Sequence, residues 1–332
     1  MDNRIKRLVL SLVGIVACVL AASAQTDPNL AQYYEVPSFY NPSATGTTDY
    51  IRIRGGYRMQ WLGVDNAPRT FAAVAEMPVK LGNQRLGVGV RAMQESIGLY
   101  KTLDLGAQVS YKLRKWGALW SVGLQLGFAD QSFKGSEVYI PDGDDYHDSN
   151  DDAIPTQDIH GTAFDAAAGL WFEHPRFYAG LSCTHLTSPT ITMNAESATG
   201  GSETSGDRQY QFQAKRTLYF TAGCNIPIKN TLFELAPSVL VKSDFGFTTG
   251  ELTARARYRK MFSAGVGYRW DDAVVITLGA EIKNFYVGYS YEYATSAIRR
   301  ASSGSHEIFA GYSLKLDLSD KNRHKHKSVR IM

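Results

Sequence analysis

Six aspartates fall within eleven positions of this 332-residue chain: Asp142, Asp144, Asp145, Asp148, Asp151 and Asp152. Oxygen ligands at alternating positions can gather calcium, and Asp142-Gly143-Asp144-Asp145 has a trace of that spacing. The run lacks the glycine and the closing glutamate of an EF-hand, so a solvated acidic surface loop is the simpler reading. Hydrolytic catalysis would need a serine or cysteine beside a base that a third group holds in place. The seven histidines (His147, His160, His174, His185, His306, His324 and His326) stand in no G-x-S-x-G, H-E-x-x-H or paired-cysteine setting. His306-Glu307 reads as the polar opening of a strand. A hydrolase built from separate strands stays open as an alternative, with His185 and His306 the residues to replace. No catalytic, metal or cofactor-binding residue is assigned, and no cofactor is expected.

Five arginines carry a different chemistry. Arg52, Arg54 and Arg58 share one side of an extended segment, while Ile51, Ile53, Tyr57 and Met59 take the other. Arg85 and Arg91 project in the same way from a later segment. A period of two means strand, because successive side chains point to opposite faces of a sheet. The apolar side must meet something apolar, and three arginines opposite rule out a dry core there. A barrel with lipid outside and water inside satisfies both faces. Inside it the arginines either line an anion-favouring pore or pair with Asp104, Asp165 and Glu281 to hold a plug.

The elements that would position them are short alternating segments: 50–59, 69–78, 85–95, 101–112, 118–130, 160–173, 176–186, 215–225, 231–243, 251–259, 260–270, 273–282, 283–292 and 306–316. Trp120, Val122, Leu124, Leu126 and Phe128 alternate with Ser121, Gly123, Gln125 and Gly127. Val274, Ile276, Leu278 and Ala280 alternate with Val275, Thr277, Gly279 and Glu281. In each case the small and polar partners face the lumen. The longest connections (60–68, 131–159, 187–214, 244–250 and 293–305) all follow odd-numbered segments, as expected of outside loops opposed to short periplasmic turns. The Asp271-Asp272 turn is the weak point. Pro237 inside a segment predicts a bulge or a shifted boundary, since proline cannot donate to a ladder. A soluble sandwich would alternate too, but it explains neither the loop segregation nor the leader. The expected fold is therefore all-β, a transmembrane antiparallel barrel of about fourteen strands over 49–316.

Residues 1–24 read as a cleaved signal peptide, with Arg4, Lys6 and Arg7 before the apolar run Leu8–Ala22 and Ala22-Ser23-Ala24 before Gln25. A lipoprotein signal acylated at Cys18 is the competing reading, and a retained anchor is disfavoured by length. The expected location is the cell outer membrane, with lipid around the wall. The mean hydropathy of −0.23, with 30 Gly, 19 Tyr and 15 Phe, suits a barrel with a polar lumen and aromatic rims. The formal charge of +3 falls by two once Asp2, Arg4, Lys6 and Arg7 leave, so nothing points to nucleic acid. Cys183 and Cys224 would sit near opposite ends of a hairpin, too far apart for a disulfide.

Segment 25–48 carries Tyr33, Tyr34, Phe39 and Tyr40 among three prolines and is too aromatic for a free linker. It is expected to tuck into the lumen or against the periplasmic rim, and its aromatic rings are candidate partner contacts. Lys325 and Lys327 of the basic tail 317–332 are the others, placed in the periplasm by strand parity.

At these residues the chain resembles the PorP/SprF family of type IX secretion outer-membrane proteins. The likeness runs through Asp27-Pro28, Gln32-Tyr33, Asn41-Pro42 with Gly46, Tyr57-Arg58-x-Gln60-Trp61, Pro68-x-Thr70 and Leu86-Gly87-Val88-Gly89. It closes with Tyr291-Glu292-Tyr293 and Ser303-Gly304-Ser305-His306-Glu307-Ile308. The resemblance implies an integral outer-membrane component of the machinery that secretes proteins with a C-terminal sorting domain, such as proteases and gliding adhesins. It also implies partners in a periplasmic ring, namely a lipoprotein and its companion, and in some members a dedicated cargo. It brings no catalytic residues. A binding and assembly role is expected, with a passive pore for small solutes as the rival.

Overall fold

Alternation becomes strand wherever one face finds apolar cover and the other polar partners. The computed structural model describes residues 27–82, 84–138, 155, 157–195 and 208–316. Among these it has seventeen strands: β1 (Tyr50–Met59), β2 (Arg69–Leu81), β3 (Gln84–Ile97), β4 (Tyr100–Lys115), β5 (Ala118–Lys134), β6 (Asp158–His174), β7 (Phe177–Thr184), β8 (Thr190–Ala195), β9 (Arg208–Gln213), β10 (Thr217–Cys224), β11 (Ile226–Pro227), β12 (Phe233–Ser243), β13 (Thr248–Tyr258), β14 (Phe262–Arg269), β15 (Ala273–Ile282), β16 (Phe285–Ala294) and β17 (Ser305–Lys315). All but β8 and β9 form one antiparallel sheet, closed by the β1–β17 and β10–β12 pairings. β10 and β11 together make one stave, so the wall is a closed barrel of fourteen staves. Closure leaves no unpaired edge.

The two faces of each stave differ as the alternation requires. Val122, Leu124, Leu126 and Phe128 stand exposed on the outside, while Ser121 and Gln125 are buried inside. Ile276 and Leu278 face out, and Val275 and Thr277 face in. No helix among the described residues is long and apolar enough to cross a membrane. The strands are the elements built to cross it.

Three details differ from expectation. The 187–214 connection holds a second sheet, the β8–β9 hairpin, whose Ile191 and Met193 pack with Ala129 and Ile159 of the inner wall. Pro237 causes neither a bulge nor a shifted boundary. β12 runs through it in unbroken pairing with β13, and the neighbouring stave is interrupted at Asn225 instead. The register is the same on both sides of that gap, with Gly223 opposite Ser238 and Ile226 opposite Leu235. A residue without an N–H forfeits a ladder bond but inserts no extra residue. Finally, Asp165 meets His185 and not an arginine. Cys183 and Cys224 are free and lie opposite Leu218 and Phe177, at the two ends of the β7–β10 ladder.

Candidate functional site

The lumen is occupied by residues 27–48, held by inward side chains of staves all around the barrel. Local geometry comes from proline. Pro37 opens a single helical turn (Pro37–Tyr40) and Pro42 a 3-10 turn (Pro42–Ala44), each at the first helical position, where a missing N–H costs nothing. Between them, the Asn41 side chain accepts from the Ser43 N–H at 2.9 Å and donates to the Leu170 carbonyl of β6 at 2.9 Å.

Backbone groups inside a barrel need partners, and the wall supplies them. The Glu307 carboxylate of β17 receives the Ala31 and Gln32 N–H groups at 2.8 and 2.9 Å. Ser182 of β7 donates to the Tyr40 carbonyl at 2.7 Å, Gln108 of β4 to the Ser38 carbonyl at 2.8 Å, and Ser110 to the Thr45 carbonyl at 2.8 Å. The Gly46 N–H reaches Glu76 of β2 at 3.0 Å. Glycines on the inner wall make room for this path. A Cβ at Gly87 would overlap the Thr45 carbonyl, and one at Gly288 would overlap the Gln32 side chain.

Each expected residue has a definite place. Tyr33, Phe39 and Tyr40 are buried in the lumen, and Tyr34 is half-buried there. The Tyr33 hydroxyl lies 3.0 Å from that of Ser238, and Tyr40 accepts from the Leu30 N–H at 3.0 Å. Tyr33, Phe39 and Tyr40 are buried, so these three rings offer no free surface to a partner, whereas Tyr34 is covered only in part. Arg255 stacks on Tyr34 at 3.3 Å from the ring centre, and Arg91 on Phe39 at 4.3 Å. Lys325 and Lys327 lie outside the described residues, as do the signal segment and Asp142–Asp152.

The five arginines all have anionic neighbours. Arg91 meets Asp104 at 2.9 Å and Arg58 meets Glu292 at 2.7 Å, with all four side chains buried. Arg52 reaches Glu76 at 3.4 Å and the Glu35 carbonyl at 3.0 Å. Arg54 lies 3.9 Å from Glu281, and Arg85 pairs with Asp49 at the short-turn end. Charges so matched hold structure more readily than they steer free anions.

At the long-loop end Asp27 is fixed by His185 at 3.1 Å, by the Tyr219 hydroxyl, and through its carbonyl by the Lys242 ammonium. The other ring nitrogen of His185 lies 2.8 Å from Asp165. Burial opposes charge on Asp27, but His185, Tyr219 and Arg91 outweigh it and hold the carboxyl well below the usual carboxylate range. Burial likewise opposes charge on His185, but Asp27 and Asp165 raise its pKa well above the ordinary value. Asp104, Asp165 and His185 are close enough to share a cation. Arg91 and the imidazolium already fill that role. With a carboxylate at each nitrogen, His185 is a structural clasp and no nucleophile's base. His306 lies on the outer face, its Nδ1 2.7 Å from the Tyr289 hydroxyl.

Sequence reasoning missed Glu307 and Glu292 as plug and wall anchors. Their signal is a lone carboxylate at an inward parity position of an otherwise apolar or aromatic strand.

A family model, that of the type IX secretion system membrane protein PorP/SprF, matches residues 22–312. No curated protein sequence matches the chain. Among solved structures, the Ralstonia pickettii toluene transporter TbuX aligns at 10% identity with TM-score 0.47, over 83% of this chain and 92% of that one. The CymD monoaromatic hydrocarbon channel aligns at 11% identity with TM-score 0.44, over 91% and 97%. The translocator domain of the Neisseria meningitidis autotransporter NalP aligns at 10% identity with TM-score 0.41, over 86% and 95%.

Proposed function

Because the chain belongs to the type IX secretion system membrane protein PorP/SprF family, we propose that it is a binding and assembly component of that system in the outer membrane. The observation that carries this reading is the filled lumen: residues 27–48 bond to the wall from Glu307 to Glu76, which argues for a scaffold over a passage. In this reading the protein works by adhesion and positioning, with energy supplied elsewhere in the machine.

The short-turn end, together with Lys325 and Lys327 of the basic tail, would meet the periplasmic ring lipoprotein and its companion. The long-loop end would meet a sorting-domain cargo or another surface protein, in keeping with the usual orientation of outer-membrane barrels. The outward apolar band would contact lipid, and the mature chain would begin after removal of 1–24. No bond chemistry is assigned to it.

The deciding experiment is affinity isolation of the tagged protein from gently solubilised outer membranes, with mass spectrometry of what accompanies it. Recovery of ring proteins or of one sorting-domain cargo supports the proposal. Deletion of the gene with secretion and surface attachment of every sorting-domain protein intact would end it.

A further inference from the structure

A cavity of about 490 Å³ lies above the plug at the long-loop end, a size typical of small-ligand pockets. Its apolar walls include Met93 and Ile97 of β3 and Ile191 and Phe212 of the β8–β9 hairpin. Amide side chains Asn29, Gln60 and Gln131 also face it.

The charges around it are almost all matched. Asp27 pairs with His185, Asp104 with Arg91, Arg58 with Glu292, Asp272 with Arg269, and Lys215 with Asp244. Two lining groups are not. Among the described residues the Glu95 carboxylate accepts only from the Thr70 hydroxyl, at 3.1 Å, and the buried Lys242 ammonium donates only to the Asp27 carbonyl. Neither has an opposite charge within 4.0 Å among the described residues, and both face the same cavity. A buried ammonium with one neutral acceptor keeps two N–H groups in need of partners. A carboxylate with one hydroxyl donor is equally underused.

We infer that this cavity is a binding site for a short zwitterionic peptide, its ammonium on Glu95, its carboxylate on Lys242, its apolar side chains against Met93, Ile97, Ile191 and Phe212, and its amides on the glutamines. Such a ligand supplies both groups with an opposite charge in direct contact, which a fatty or aromatic hydrocarbon cannot. The inference does not depend on the secretion role.

The test is isothermal titration of the purified full-length barrel in detergent with the tripeptide Leu-Leu-Phe, its N-acetyl form, its C-terminal amide and the doubly blocked form. Heat-modifiable gel migration checks that each variant is folded. The free tripeptide is expected to saturate one site, and blocking either end to weaken binding at least tenfold. In Glu95→Gln the penalty for N-acetylation disappears while that for the C-terminal amide remains, and in Lys242→Met the reverse holds. A merely structural role for either residue would not produce this crossover. Absence of saturable binding by folded protein, equal affinity for the doubly blocked peptide, or tighter binding of free leucine than of the tripeptide would overturn the inference.

Discussion

The Arg58 guanidinium of β1 lies 2.7 Å from the Glu292 carboxylate of β16, across the intervening β17, and Arg269 of β14 joins the same carboxylate at 3.0 Å. One buried anion thus ties three staves together. Removing Arg58 leaves Glu292 with one cation in place of two. Arg58→Met is expected to cost about 3 kcal/mol of stability, while the double variant Arg58→Met/Glu292→Met recovers part of that loss. Urea unfolding of the detergent-refolded barrel measures both. A loss in the double variant equal to the sum of the losses in Arg58→Met and Glu292→Met alone would show that the pair is not coupled.

How much of this was legible beforehand depends on the range of the interaction. Alternation is local, so the staves and the outward side of Leu124 or Ile276 could be read from neighbours two positions apart. The aromatic content of 25–48 signalled a need for cover. The choice of Glu292 for Arg58 could not be read, because the residues are separated by most of the barrel and meet only through β1–β17–β16 register. Likewise Gly87 and Gly288 look like ordinary strand glycines until the plug is seen against them. The β8–β9 hairpin was missed although Thr190-Ile191-Thr192-Met193 and Gln209-Tyr210-Gln211-Phe212 alternate, because both runs are short and lie inside a polar connection.

The outward position of Leu124, near the middle of the 17-residue β5, sets a second expectation. In a bilayer a cation there faces hydrocarbon. Leu124→Arg should destabilise the folded barrel by about 2–4 kcal/mol in lipid vesicles. Gln125→Arg, one residue on, faces the lumen and should show no such depth penalty. Comparing folding yields of the two in vesicles and in detergent tests the faces directly, since only the first should lose its penalty in detergent.

The Asp27–His185–Asp165 clasp gives the plug a pH dependence of definite sign. The His185 value is raised on folding, so its contribution is complete below about 6.5, its ordinary value, and is lost as pH rises through the higher folded value. The Asp27 value is lowered, so its contribution is complete above about 3.9 and is lost as pH falls through the folded value. Thermal midpoints in detergent should form a plateau between these limits and decline on the alkaline side. In His185→Gln the alkaline decline attributable to the clasp should vanish. An unchanged profile would remove His185 from the latch.

The wall glycines and Glu307 make the filled lumen testable as a barrier. In planar bilayers the native barrel is expected to give no stable single-channel steps, because residues 27–48 are bonded across its interior. Gly87→Leu places a side chain where the Thr45 carbonyl now sits. Glu307→Leu removes an acceptor that receives two backbone N–H groups; at about 1.5–3 kcal/mol for each bond to a charged group, the loss is comparable with the docking of a short segment. Both variants should raise conductance and expose the segment around Leu30 to protease while the barrel itself stays resistant. Steady conductance in the native protein, unchanged by either substitution, would mean that the plug leaves a passage beside it, and the solute-pore reading would then replace the scaffold.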